Sequence, residues 1–290
     1  FSQGVSISTS LSLPTFWLLY LESRVLVHVV SSCTVKLLPP ERRSADIRLV
    51  ARHTDVYEPC DDSYALVDAL LADRANLCEL HPSICLEVGC GSGYVITSLA
   101  LMLSDLKDTR FIATDISKSA VETTRLTLEA HNVNADVLVA DLVSGIDTHL
   151  AGAVDLLVFN PPYVPTPDDE VGIGGIASAW AGGHKGRIVI DCMLEIVDSI
   201  LSPKGWFYLV TVAANCPGEI CQIMRRKGFA SRIAIQRSTE EESLHVLKFW
   251  RDASNEASDS SNPVSPSGRT SFMQRSLPHH LSRLVSFKPT

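Results

Sequence analysis

Ile84-Cys85-Leu86-Glu87-Val88-Gly89-Cys90-Gly91-Ser92-Gly93 is the stretch on which the fold turns. A short apolar run of strand length stops at glycines, and Tyr94–Leu103 then takes up apolar residues at helical spacing. Glycines at such a junction permit a tight turn and let a ligand press against main-chain atoms. The helix behind them offers free N–H groups and the positive end of its dipole. A second strand-like run, Arg110–Thr114, stops at Asp115.

Working outward, the alternation continues. Ser117–His131 reads as helix, Ala135–Ala140 as strand, Ser144–Leu150 as a turn region, and Val154–Phe159 as a continuous buried strand. After a long loop come a helix (Arg187–Leu201), a strand (Gly205–Val212) opened by the turn Ser202-Pro203-Lys204-Gly205, a helix (Cys216–Lys227), and two last strands, Ser231–Gln236 and Ser243–Trp250. This order predicts an α/β protein with a mostly parallel sheet and helices on both faces. Ligands are then expected beyond the carboxyl ends of the strands.

The chain has 290 residues, 46% hydrophobic and 20% charged, enough for a substantial core. Twenty-five Lys+Arg against 33 Asp+Glu leave a net charge of −8, opposite to the footprint of a protein that holds nucleic acid by its phosphates. The eight cysteines form no Cys-x-x-Cys pair, which fits reduced thiols in an intracellular protein better than a metal site or disulfide framework. Residues 1–52 are read as a leader, either disordered or a gene-model extension. Their apolar runs, Phe16–Leu21 and Val25–Val30, are interrupted by Glu22 and Arg24, well short of the roughly 20 residues that span a bilayer, so no membrane anchor is expected. Residues 251–290 contain ten Ser and four Pro and are expected to be a disordered tail. The folded unit is expected to be 53–250.

Two ligands fit the glycine loop: a nicotinamide dinucleotide and an adenosyl sulfonium. Asp115, 22 residues after Gly93 at a strand tip, suits the hydroxyls of a ribose in either case. Beginning the dinucleotide fingerprint at Gly89 places Tyr94 where its third glycine belongs, so that fingerprint fails. Glu87 suits a cationic ligand and conflicts with a pyrophosphate. Asp141, one residue past the third strand, is either an acceptor for the adenine amine or a helix N-cap.

Asn160-Pro161-Pro162-Tyr163 follows directly on the buried fourth strand, at the same sheet edge as the glycine loop. The Asn160 side-chain oxygen and the Pro161 carbonyl together suit both hydrogens of a planar NH₂ group, with Tyr163 over its face. Such a clamp draws nitrogen out of conjugation and aims its lone pair at a sulfonium methyl. Alignment and desolvation then do the work, without an obligatory base. His53, His131, His149, His184 and His245 are accordingly read as surface or strand-end residues. Trp180, Gly182 and Gly183 lie on the long loop after the clamp, either a substrate lid or a plain surface loop.

Residues 55 to 250 resemble the eukaryotic HemK-type glutamine methyltransferases. The resemblance rests on Asp55-Val-Tyr-Glu-Pro-Cys-Asp-Asp-Ser63, Leu86 to Gly93, Asp155-Leu-Leu-Val-Phe-Asn-Pro-Pro-Tyr-Val164, Ala179-Trp-Ala-Gly-Gly183 and Phe207-Tyr-Leu-Val-Thr211. It implies a class I, seven-stranded Rossmann-like methyltransferase that modifies the glutamine of the Gly-Gly-Gln motif in a release factor. It implies an S-adenosyl-L-methionine pocket formed by Ser63, Glu87, Gly89, Gly91, Asp115, Asp141, Leu142 and Asn160, with Asn160, Pro161 and Tyr163 as the catalytic and substrate-binding set. Ser63 stands where Thr is usual, and Cys60-Asp61-Asp62 where Ala-Glu-Asp is commoner. The resemblance further implies a small zinc-binding activator subunit of the Trm112 type, which would carry the zinc, since this chain shows no ligand cluster. The expected location is the cytoplasm, with the nucleus as an alternative. Adenine N6 in nucleic acid and protein lysine are the rival substrates, and a catalytically silent binding module is the rival class.

Overall fold

The computed structural model describes residues 27–30, 34–37, 44–238 and 243–251. Val27–Val30 (β1) and Thr34–Leu37 (β2) pair as an antiparallel ribbon. Two helices, Asp61–Ala72 (α1) and Arg74–Leu80 (α2), come before the first strand that the sequence announces, Ile84–Val88 (β3). Then follow Tyr94–Met102 (α3), Arg110–Asp115 (β4), Lys118–Ala130 (α4), Asp136–Val139 (β5), Asp147–Leu150 (α5) and Val154–Phe159 (β6). Ile188–Ile200 (α6), Leu201–Val212 (β7), Pro217–Arg226 (α7), Phe229–Ser238 (β8) and Ser243–Arg251 (β9) complete the order.

The seven strands from β3 onward form one sheet in the order β5-β4-β3-β6-β7-β9-β8. Pairings from β5 through β7 are parallel, and β9 runs antiparallel to both β7 and β8. This is the class I, seven-stranded Rossmann-like architecture expected. From β3 the chain winds outward to β4 and β5, then returns to place β6 on the other side of β3. The strand order therefore reverses between β3 and β6, and a crevice opens at their carboxyl ends. Val88 pairs with Phe159 across that point, so the glycine loop and Asn160 emerge side by side.

Packing explains the sequence signals. Every residue of β6 is buried, as a central parallel strand covered on both faces requires. Its one acid, Asp155, accepts hydrogen bonds from Ser83 N (2.7 Å) and Ser202 Oγ (2.6 Å). On α6, Ile190, Met193, Leu194, Val197 and Ile200 are buried at helical spacing. The Ser117 side chain caps α4 by accepting from Ala120 N.

Three expectations differ from what is observed. Ser202-Pro203-Lys204-Gly205 is not a turn. β7 begins at Leu201 and carries these residues through a bulge opposite Val154 and Leu156, where a Cβ on Gly205 would lie 2.7 Å from the Val154 carbonyl oxygen. The turn region before Leu150 contains the short helix α5. The folded unit also starts before residue 53. Ala45 and Val50 are buried, Ala45 N donates to Ser98 Oγ (3.0 Å), and Ala51 N donates to Thr127 Oγ1 (3.0 Å). Most of the leader, with the Phe16–Leu21 run, and the tail beyond Arg251 lie outside the described residues.

Candidate active site

The glycine loop is shaped from behind by β4 and α4. Gly93 has φ +79°, and a Cβ there would lie 2.8 Å from Thr124 Cα, so both conformation and space require glycine. Gly91 N donates to Asp115 Oδ2 (2.9 Å), Ser117 N to Asp115 Oδ1 (2.8 Å), and Thr124 Oγ1 to the Gly91 carbonyl (3.0 Å). Asp115 thus fixes the loop with one lone pair of each oxygen and keeps the others for a ligand. Burial pushes its carboxyl up, and the N–H groups of Gly91 and Ser117 oppose the rise.

Glu87 on β3 is 2% exposed, and its Oε2 has no hydrogen-bond partner among the described residues. Burial pushes this carboxyl well above the ordinary range. The Ile96 N–H pulls it down, and the neighbouring Asp115 charge adds to the rise. A buried carboxyl with an orphaned oxygen is costly unless a cationic or N–H-bearing ligand completes it. Asp141 caps no helix, since the N-cap of α5 is Ile146, and desolvation raises its carboxyl. Leu142 beside it has φ +52°, a strained conformation for a branched side chain, held by a hydrogen bond from Thr114 Oγ1 to its carbonyl (2.8 Å). Ser63 is buried, and its hydroxyl donates to Asp62 Oδ1 (3.0 Å) while keeping its lone pairs.

Across the crevice, the Asn160 carbonyl oxygen lies 3.7 Å from where a Gly89 Cβ would stand, which sets the two motifs in contact. Asn160 Nδ2 donates to Asp62 Oδ2 (3.1 Å), and Tyr163 OH donates to the same oxygen (3.2 Å). Asn160 Oδ1 is buried and without a partner among the described residues. Pro161 and Tyr163 are buried behind it. None of Glu87, Asp115 and Asp141 has an ion pair among the described residues, so the crevice carries unpaired carboxyl groups that suit a cationic ligand.

Residues 50–175 match the family model described as the methyltransferase small domain. Human methyltransferase HEMK2 is 46% identical over 198 residues, covering 68% of this chain and 91% of its own length. The chain belongs to the HEMK2 methyltransferase family. The eRF1 methyltransferase catalytic subunit mtq2 of Schizosaccharomyces pombe is 36% identical over 207 residues, covering 68% of this chain and 90% of its own. Among solved structures, the Mtq2–Trm112 complex of E. cuniculi, described as responsible for methylating the eRF1 termination factor, matches with TM-score 0.50 and 30% identity. The match covers 68% of this chain and 99% of that one.

In this HEMK2-family enzyme the segment after the clamp is no plain surface loop. Gly182 and Gly183 are buried, Val164 N donates to the Trp180 carbonyl (2.9 Å), and Gly182 N donates to the Val164 carbonyl (2.9 Å). A Cβ on Gly186 would fall 1.8 Å from the Tyr163 carbonyl oxygen. Asn215, fully buried, donates through Nδ2 to the carbonyls of Tyr163 and Lys185 (both 2.8 Å) and accepts from Val212 N (2.7 Å). It locks the clamp segment, the loop and the end of β7 together. Sequence reasoning missed Asn215 and gave Asp62 no role. Each meets the clamp only through the tertiary fold, the Asp62 contacts to Asn160 and Tyr163 spanning 98 and 101 positions and the Asn215 contact to Tyr163 spanning 52. Of the histidines, His131 anchors the early segment by accepting from Asp46 N (2.8 Å).

Proposed function

We propose that this chain is the catalytic subunit of an S-adenosyl-L-methionine-dependent methyltransferase that modifies the side-chain amide nitrogen of the Gly-Gly-Gln glutamine in a eukaryotic class 1 release factor. The observation that carries the reading is Asn160 Oδ1, a buried acceptor without a partner among the described residues, on the residue whose backbone carbonyl meets the glycine loop at the switch point of the sheet. The relatives described as acting on eRF1 support the choice of substrate.

The residues present fit the methyl donor. The orphaned Glu87 Oε2 suits its ammonium, the free lone pairs of Asp115 its ribose, and Asp141 with the neighbouring Leu142 its adenine. Ser63 and Asn160 flank the same space, and the turn at Gly89 and Gly91 gives main-chain clearance. When bound, S-adenosylmethionine supplies an electrophilic methyl on a positively charged sulfur. The chain's own part is alignment: Asn160 Oδ1 and the Pro161 carbonyl accept the two N–H groups of the glutamine amide, and Tyr163 covers its face. Held so, the nitrogen is drawn from conjugation with its carbonyl, and because the N-methylated amide is a strongly acidic cation that gives its extra proton to water, no residue need act as a strong base.

A partner of the Trm112 type belongs to this reading. β5 is an edge strand, and Leu138 and Val139 on it, with Leu126 of α4 and nearby Ile116, are exposed apolar residues. An unpaired apolar edge is a liability until a partner covers it. The test is co-expression with that subunit and incubation with labelled S-adenosylmethionine, offering release factor, the same factor with its motif glutamine changed to alanine, and DNA. Label is expected on intact release factor alone. Label on DNA, or equal label on the glutamine-less factor, overturns the proposal.

A further inference from the structure

We infer that Asp62 is a positioning residue whose carboxylate decides which end of the Asn160 carboxamide faces the crevice. The inference rests on the clamp reading above and adds a determinant to it. A carboxamide has one donor end and one acceptor end of nearly the same shape, and reversing it would turn the clamp's acceptor into a donor. The neighbours resolve this. An ionised carboxylate only accepts, so the end of Asn160 that touches Asp62 Oδ2 at 3.1 Å must be the NH₂ group. Oδ1 is thereby turned the other way, where it lies buried and without a partner among the described residues.

The remaining geometry holds Asp62 to that task. Its Oδ2 also accepts from the Tyr163 hydroxyl, and its Oδ1 accepts from Ser63 N (2.5 Å) and Ser63 Oγ (3.0 Å). Four donors fill the roughly four lone-pair sites of a carboxylate, so Asp62 has no capacity left to take a proton from substrate. It sits in the first turn of α1 and is buried there. One buried carboxylate therefore ties the start of α1 to both polar members of the clamp.

Asp62→Asn tests this, because an asparagine offers one acceptor where the carboxylate offers two. The Ser63 N–H cannot turn away and claims that oxygen. The new NH₂ then faces Asn160, which must reverse and present its own NH₂ to the substrate. Measured with the partner subunit and release factor, D62N should lower kcat by about a hundredfold or more, the scale of losing one preorganised polar contact. Affinity for S-adenosylhomocysteine should stay within about threefold. The double variant D62N/N160D should regain at least about tenfold over D62N, since a carboxylate in place of the Asn160 amide can accept from the new NH₂ and keep an acceptor toward the crevice. A purely structural Asp62 predicts no such rescue.

Retention of more than about a third of kcat in D62N, or a folded double variant no faster than D62N, overturns the inference. Should wild type fail to label glutamine, the substrate assignment falls, and NMR of the ¹⁵N-labelled heterodimer still decides about Asp62. One Asn160 Nδ2 proton should lie downfield, as expected against a carboxylate, and return to the ordinary range in D62N. If D62N does not fold, the wild-type spectrum decides, and an unshifted pair of amide protons overturns the inference.

Discussion

Glu87→Gln keeps the shape of a side chain that is 2% exposed and removes its charge, and it should move cofactor affinity and apo stability in opposite directions. Without ligand, burial holds the Glu87 carboxyl well above its ordinary value. A folded pKa raised above the unfolded one stabilises the fold fully below the unfolded value, near 4.3, and that contribution is lost as pH rises through the folded value. Glutamine cannot ionise and escapes the loss, so apo E87Q should melt higher than wild type at the alkaline end. With ligand the balance reverses. The ammonium needs an ionised partner, and a charge-assisted hydrogen bond contributes about 1.5–3 kcal/mol. Its loss weakens binding of S-adenosylmethionine by about 10- to 150-fold. Wild-type affinity should tighten with pH until Glu87 is ionised in the free protein, then level off. E87Q should show only the shallower dependence left by Asp115, which burial also raises. Calorimetry of binding between about pH 6 and 9, with melting curves of the apo protein, reads both effects. E87Q that binds within about threefold of wild type at every pH, or an apo form less stable than wild type at high pH, refutes the reasoning.

Asn160→Ala should abolish methyl transfer in a release-factor assay while leaving binding of S-adenosylhomocysteine measurable by calorimetry. Gly186→Ala places a Cβ against the Tyr163 carbonyl at φ +66°, so it should cost about 3 kcal/mol or more in denaturant unfolding and depress kcat through the displaced clamp. Val139→Asp on the apolar edge of β5 should weaken partner binding at least tenfold by pull-down or calorimetry, with the fold intact by circular dichroism. Asp73 accepts from Tyr208 OH (2.5 Å), Arg232 (2.6 Å) and Lys248 (2.8 Å). Burial alone would raise its carboxyl, but these donors outweigh that and hold it below the usual range. Its stabilisation is therefore present above the unfolded value near 3.9 and lost as pH falls through the folded value. Asp73→Asn should remove about 3–5 kcal/mol at neutral pH by leaving the buried Lys248 unpaired, and should flatten the acid limb of the stability curve.

What the sequence discloses here is local. The β3–Gly–α3 unit and β6 were legible because glycine punctuation and a continuous apolar run are signals within ten residues. The edge shared by both motifs followed from parallel topology alone. Helix α1 escaped notice because Ala65, Leu66, Val67, Ala69 and Leu70 are all buried, leaving little periodicity, and its N-cap Cys60 makes no side-chain cap. Ser202-Pro203-Lys204-Gly205 has the composition of a turn but is carried as a bulge within β7 because the flanking Leu201 and Trp206 both pair with β6, a tertiary override of local preference. The candidate site divided in the same way. Glu87, Asp115 and Asn160 announce themselves by their position at the carboxyl ends of strands, whereas Asp62 and Asn215 are ordinary polar residues until the fold brings distant carbonyls, amides and hydroxyls to them.

A structure of the heterodimer with S-adenosylhomocysteine and a Gly-Gly-Gln peptide tests the clamp most directly. The glutamine side-chain nitrogen should lie about 3 Å from both Asn160 Oδ1 and the Pro161 carbonyl oxygen, facing the thioether sulfur. A nitrogen bonded to other groups, with Asn160 Oδ1 turned from it, would contradict the account.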